Sequence, residues 1–137
     1  FSAPHAHDNS KDQYYWQSKS DTLYQNAQIP PPVLGDSIYF NQLPVPVKEG
    51  FNRTRWKWRF DTPEKYQQMV KGYYRMITEI DQEIGLIRAE LTKKGIEKNT
   101  IIIIMGDNGY FLGDRQLVGS EMCIRDRSSA GRQMVDV

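Results

Sequence analysis

Between positions 66 and 91, the apolar residues Tyr66, Val70, Tyr73, Ile77, Ile80, Ile84, Ile87 and Leu91 recur at alternating steps of four and three. That spacing lays them on one stripe of a helix, where they read as core. Thr62 can cap its start, Pro63 suits the first helical position, and Glu64 suits the positive end of the helix dipole. Lys93 and Lys94 close the last turn and Gly95 supplies the stop. The pattern predicts one long helix over about 63–94. Gly72 and Gly85 weaken it, which points to close packing at those two turns.

After a short polar connection the period changes. Thr100, Ile101, Ile102, Ile103, Ile104 and Met105 form an apolar, mostly β-branched run that stops at Gly106-Asp107-Asn108-Gly109. A run of that kind predicts a buried strand over about 100–105 ending in a polar turn. Helix followed by buried strand is one step of a layered α/β domain. Residues 1–8 look like a strand tip entering a polar turn. Residues 9–60 show little periodicity and are rich in Pro, Tyr, Trp, Asn and Asp. Ile29-Pro30-Pro31-Pro32 must run extended, because each proline fixes its own φ and disfavours helix before it. So long an excursion is often functional. The alternative is an ordered surface loop held down by its aromatic residues.

Composition narrows the function classes. The 137 residues suffice for one modest core. Lys plus Arg is 18 and Asp plus Glu is 17, so the net charge of +1 gives no bias toward nucleic acid or anionic membrane. No apolar run reaches the length of a membrane span. One cysteine excludes an intrachain disulfide framework.

Two stretches offer chemistry. Asp107 brings a carboxylate and Asn108 an amide oxygen, both hard ligands suited to Ca²⁺ or Mg²⁺, at a strand end where open α/β sheets bind ligands. An ordinary strand-capping turn is the alternative. Residues 52–60 interleave Arg53, Arg55, Lys57 and Arg59 with Trp56, Trp58 and Phe60. Such a segment can stack on bases or sugar rings. The favoured expectation is that its aromatics pack inward while the cations reach water. A non-catalytic glycan-binding module using Trp16, Trp56 and Trp58 as sugar platforms stays open on the same residues.

Residues 118–127 read Val-Gly-Ser-Glu-Met-Cys-Ile-Arg-Asp-Arg. Read back into codons, they match a transposase-type sequencing adapter translated in frame. The expectation is a division into a partial catalytic domain over 1–117 and a non-native tail over 118–137. A genuine polar segment is the alternative. Cys123 lies in this stretch and carries no functional weight.

Asn99-Thr100-Ile101-Ile102-Ile103-Ile104, followed by Asp107-Asn108-Gly109-Tyr110-Phe111-Leu112-Gly113-Asp114, resembles the metal-binding strand and loop of type I sulfatases. Phe1-Ser2-Ala3-Pro4-His5 resembles that family's strand end bearing an active-site histidine, and the helix with its Trp-Arg-Phe-Asp-Thr-Pro-Glu-Lys-Tyr entry is similar too. The resemblance is strongest to bacterial sulfatases of the N-sulfoglucosamine and related glycan type. It implies an alkaline-phosphatase-like α/β domain with a mostly parallel sheet, hydrolysing sulfate esters or sulfamates on a sulfated small molecule or glycan. It also implies a formylglycine nucleophile made in a Cys-x-Pro-Ser-Arg type motif, and Ca²⁺ holding the sulfate oxygens. By the same resemblance, Asp107 and Asn108 are metal ligands, and His5 contacts the sulfate or assists the leaving oxygen. Family members are often exported, to the periplasm or beyond, although this chain itself does not settle the compartment.

The departures are specific. The nucleophile motif is absent from the chain, and Gly113-Asp114-Arg115-Gln116 stands where many members have Gly-Glu-His-Gly. His7 is expected to be an ordinary polar residue. A phosphodiesterase or phosphonate hydrolase of the same superfamily is the alternative enzyme reading. The chain alone is expected to turn over no sulfate ester and to bind Ca²⁺ weakly, because two ligands fall far short of the six to eight that the ion takes.

Overall fold

The structure is a computed structural model, and it describes residues 4–8, 13–106 and 109–120. Its helices are α1 (Ser37–Asn41), α2 (Val45–Lys48), α3 (Phe51–Arg59) and α4 (Pro63–Lys93); its strands are β1 (Tyr110–Leu112) and β2 (Val118–Ser120). Contacts group them into two units, Phe1–Pro31 with Thr62–Met105, and Pro32–Asp61 with Gly106–Val137.

The first unit is built on α4, whose limits follow the expected punctuation. The Thr62 side chain accepts from the Lys65 N–H, Pro63 opens the first turn, and Glu64 lies in it. At the other end the Gly95 N–H reaches the Thr92 carbonyl and the Ile96 N–H reaches that of Leu91, at 2.9 and 3.1 Å. That pairing closes the helix with Gly95 in the left-handed region at φ +69°. The stripe expected to be core is buried only at Val70: Tyr66, Tyr73, Ile80, Ile84 and Leu91 are half-buried, and Ile77 and Ile87 are exposed. The helix instead buries Met69, Val70, Gly72, Arg75 and Met76, which cluster in its first half. The two glycines also differ. A Cβ on Gly72 would lie 2.9 Å from Trp16, whereas one on Gly85 would meet nothing within 4 Å, so the expected close packing holds only at Gly72.

What α4 buries is the irregular segment before the prolines. A second stripe of the helix, polar and spaced by four, holds that segment's backbone. The Gln67 amide donates to the Ile29 carbonyl at 2.6 Å and accepts from the Ile29 N–H at 3.0 Å. Lys71 donates to the Gln25 carbonyl. Buried Arg75 donates to the carbonyls of Leu23 and Asp21 at 3.1 and 3.0 Å, with its guanidinium 4.6 Å above the Trp16 ring. Glu79 accepts from the Gln17 N–H. Aromatic residues hold the segment as the alternative reading had it: Tyr14 is buried edge-on to Tyr73, and Trp16 donates to Asp21. The helix's polar side chains add to the turn hydrogen bonds that the segment makes within itself, such as Ser20 N–H to the Gln17 carbonyl and Leu23 N–H to that of Ser20. These bonds satisfy backbone groups that have no ladder of their own.

The buried strand expected over 100–105 does not form. Those residues pair with nothing as a strand, and Ile103 and Met105 are 74% and 84% exposed. A strand buried on both faces needs neighbours along both edges. Among the described residues the sheet is a single antiparallel pair, β1 with β2, so no parallel sheet covers the run.

In the second unit Asp36 caps α1 by accepting from the Ile38 N–H at 2.8 Å. The hairpin pairs Tyr110 with Ser120, Phe111 with Gly119 and Leu112 with Val118. Its second strand lies against α3: a Cβ on Gly119 would come within 2.7 Å of the Asn52 amide oxygen. Leu117 and Val118 are fully buried. The expected division of α3 is partly reversed. Arg59 is 1% exposed and donates to the Tyr110 hydroxyl, while Phe51 and Trp58 stay exposed and touch edge to face. Arg53 lies 4.0 Å from the Phe40 ring and 4.2 Å from the Trp56 ring, and burial lowers its pKa. A guanidinium can be placed this way because its flat faces stack on rings while its edge donates.

Candidate functional site

His5 sits in a short extended segment of the first unit. Ala6 bridges Tyr14 in antiparallel fashion, and the His7 N–H donates to the Gln13 carbonyl at 2.8 Å. Side chains alternate along extended backbone, so Tyr14 goes into the core while His5, His7 and Tyr15 share the exposed side. The His5 and His7 ring centres are 5.6 Å apart, and those of His7 and Tyr15 are 5.0 Å apart, both edge to face. His7 is thus a close neighbour of His5. The spacing of two residues was its only signal in the sequence, and it became meaningful once the backbone there proved extended.

Asp107 and Asn108 lie outside the described residues, within the stretch assigned to the second unit. The turn at 113–116, a few residues further along the chain, is firmly held. Leu34 N–H donates to the Asp114 carboxylate at 3.0 Å, and Arg115 N–H donates to the Leu34 carbonyl at 2.8 Å. The Gln116 amide donates to the Gly35 carbonyl. Arg53 Nη1 donates to both the backbone and the side-chain oxygen of Gln116, at 3.1 and 2.9 Å. Gly113, Arg115 and Gln116 all take positive φ, at 100°, 55° and 53°. This accounts for the glycines of the Gly-Glu-His-Gly pattern: both of its glycine positions are left-handed here, and Gln116 fills the second with a side chain. Arg53 and Gln116 were not foreseen as a pair, since nothing local links positions 63 residues apart.

Among the described residues, no group of three or more His, Cys, Asp or Glu could hold a metal ion. The donor types of Asp107 and Asn108, a carboxylate and an amide oxygen, fit a hard dication. The faces of two tryptophans offered as sugar platforms carry guanidinium groups, Arg75 on Trp16 and Arg53 on Trp56. No helix among the described residues is long and apolar enough to cross a membrane.

The pattern that defines the Sulfatase family matches residues 1–130. The chain belongs to the sulfatase family. Among curated sulfatases, an N-acetylglucosamine-6-O-sulfatase of Bacteroides thetaiotaomicron is 40% identical over 50 residues, covering 36% of this chain and 9% of that protein. A sulfatase of Formosa agariphila is 28% identical over 107 residues, covering 76% of this chain and 19% of that protein. The chain therefore spans less than a fifth of the length of these sulfatase relatives. No solved structure matches it. Its mixture of helices with a small sheet is compatible with the α/β class of a sulfatase domain.

Proposed function

We propose that this chain forms part of the catalytic centre of a sulfuric ester or sulfamate hydrolase acting on a sulfated glycan, within an alkaline-phosphatase-like domain with a mostly parallel sheet. The match to the sulfatase family over residues 1–130 carries this reading. The sulfated amino sugar named for the Bacteroides relative supports a glycan as the substrate class. Asp107 and Asn108 are two of the ligands of a Ca²⁺ ion. When bound, the ion offsets charge on the sulfate oxygens. His5 stands exposed at the end of an extended segment, where a substrate can reach it. As the S–O bond to the sugar breaks, the leaving oxygen gains negative charge and takes a proton; histidine is the side chain suited to donate it near neutral pH. The Ala6–Tyr14 bridge fixes the backbone on which that ring is carried.

The chain contains no Cys-x-Pro-Ser-Arg motif, so the test has two arms. The purified 137-residue chain should not hydrolyse an aryl sulfate, and its weak Ca²⁺ binding should vanish in Asp107→Ala. Carried within a gene product that supplies the motif, the same sequence should hydrolyse sulfated N-acetylglucosamine. That activity should fall by about 100-fold or more in His5→Ala and in Asp107→Ala. Turnover by the chain alone, or activity that survives His5→Ala, would overturn the proposal.

A further inference from the structure

We infer that His5 and His7 together form a two-histidine site for a borderline transition-metal dication, with Zn²⁺ as its ligand. Three observations converge. The two residues are two apart on backbone fixed as extended by the Ala6–Tyr14 bridge and the His7–Gln13 hydrogen bond, so both rings leave the same face. Both are exposed, so an ion reaches them without displacing packed side chains. Their ring centres are 5.6 Å apart. A tetrahedral ion about 2.0 Å from one nitrogen of each ring sets the centres roughly 5 Å apart, close to the spacing found here. Tyr15 packs edge-on against His7 at 5.0 Å and limits the rotation of that ring.

The chemistry of the donors selects the ion. Imidazole nitrogen suits Zn²⁺, Cu²⁺ and Ni²⁺, whereas Ca²⁺ takes oxygen. The pair is therefore distinct from the oxygen donors Asp107 and Asn108. Two protein ligands leave the remaining positions of the ion to water. The site also has a consequence that rests on the sulfatase reading. A His5 ring held by the metal cannot become the imidazolium that hands a proton to the leaving oxygen, so Zn²⁺ competes with that protonation.

The test uses the 137-residue chain carrying Cys123→Ser, which removes the one competing thiol. Titration with ZnCl₂ by calorimetry should give one ion per chain. The imidazole NMR signals of His5 and His7 should move together. Affinity should fall about tenfold or more in His5→Ala and equally in His7→Ala, and should not change in Asp107→Ala. Thermal melts of the histidine variants should match the parent, because both rings are exposed. Zn²⁺ binding that survives His7→Ala, or a shift of one histidine signal without the other, overturns the site. These readouts involve no turnover. Loss of the site with turnover intact in the larger gene product therefore refutes only this inference, whereas Zn²⁺ binding by the chain with no sulfatase turnover by the larger gene product refutes only the sulfatase reading.

Discussion

The same substitution at two glycines of α4 should stabilise the chain at one and not at the other. Gly72 and Gly85 both lie inside this 31-residue helix, where alanine is favoured over glycine by about 1 kcal/mol. At Gly85 nothing lies within 4 Å of the added methyl, so Gly85→Ala should deliver the full gain. For a chain of this size that is a rise in Tm of roughly 3–5 °C. At Gly72 the new Cβ would lie 2.9 Å from Trp16 Cζ3 and 3.2 Å from Tyr14 Cβ. Neither neighbour yields readily. The Trp16 ring is tied by its Nε1 to Asp21 at 2.7 Å and covered by the Arg75 guanidinium. Tyr14 Cβ is one bond from backbone that pairs with Ala6. Overpacking of this kind costs about 1–3 kcal/mol, which outweighs the propensity gain and leaves Gly72→Ala neutral to about 2 kcal/mol less stable. Urea unfolding followed by far-UV circular dichroism reads both variants, and tryptophan fluorescence reports the Trp16 contact. Equal stabilisation by the two alanines would show that Trp16 and Tyr14 do not pack against Gly72 and would refute the reasoning.

Gln116 holds a left-handed conformation that glycine adopts at no steric penalty, yet its amide bonds Arg53 and Gly35. Gln116→Ala loses the bonds and keeps the strain, so it should be less stable than Gln116→Gly by about 1 kcal/mol; equal unfolding midpoints would argue against strain at this position. Hydrogen bonds from Thr92 and Arg88 hold the Glu97 carboxyl below the usual carboxylate range. A depressed folded-state value means that the contribution is present above the unfolded value and is lost as pH falls through the folded one. Protection of the Gly95 and Ile96 amides, taken as the exchange rate relative to the intrinsic rate at the same pH, should therefore fall in acid, and Glu97→Gln should remove that loss.

How much was legible in the sequence depends on the range of the forces involved. The limits of α4 were readable because Thr62, Pro63 and Gly95 act on backbone groups within one turn of themselves. The run over 100–105 has strand chemistry, but a strand exists only with partners, and its own residues do not encode them. Among the cations of α3, Lys57 reaches water as expected, but Arg59 was misjudged for a related reason. Whether Arg59 faces water or the core depends on Tyr110, 51 residues away. Asp107 and Asn108 were candidates from the local pattern, which is equally that of a turn, and family resemblance decided between the two; His5 entered through the resemblance alone.

The irregular segment before the prolines shows how fold and candidate site connect. It carries no period that predicts an element; local turns order it from within, and the i, i+4 series Gln67, Lys71, Arg75 and Glu79 anchors it to α4. In the sequence those positions look like an ordinary solvated face beside an apolar stripe. In the fold they fix backbone from Gln17 to Ile29, while the bare surface at Gly72 admits Tyr14 and Trp16. Buried Tyr14 then pairs with Ala6, and that pairing turns His5 and His7 outward on one face. A larger residue at position 72 should therefore act at a distance: by displacing Tyr14 it should weaken Zn²⁺ binding at the histidine pair, even though position 72 touches neither ring.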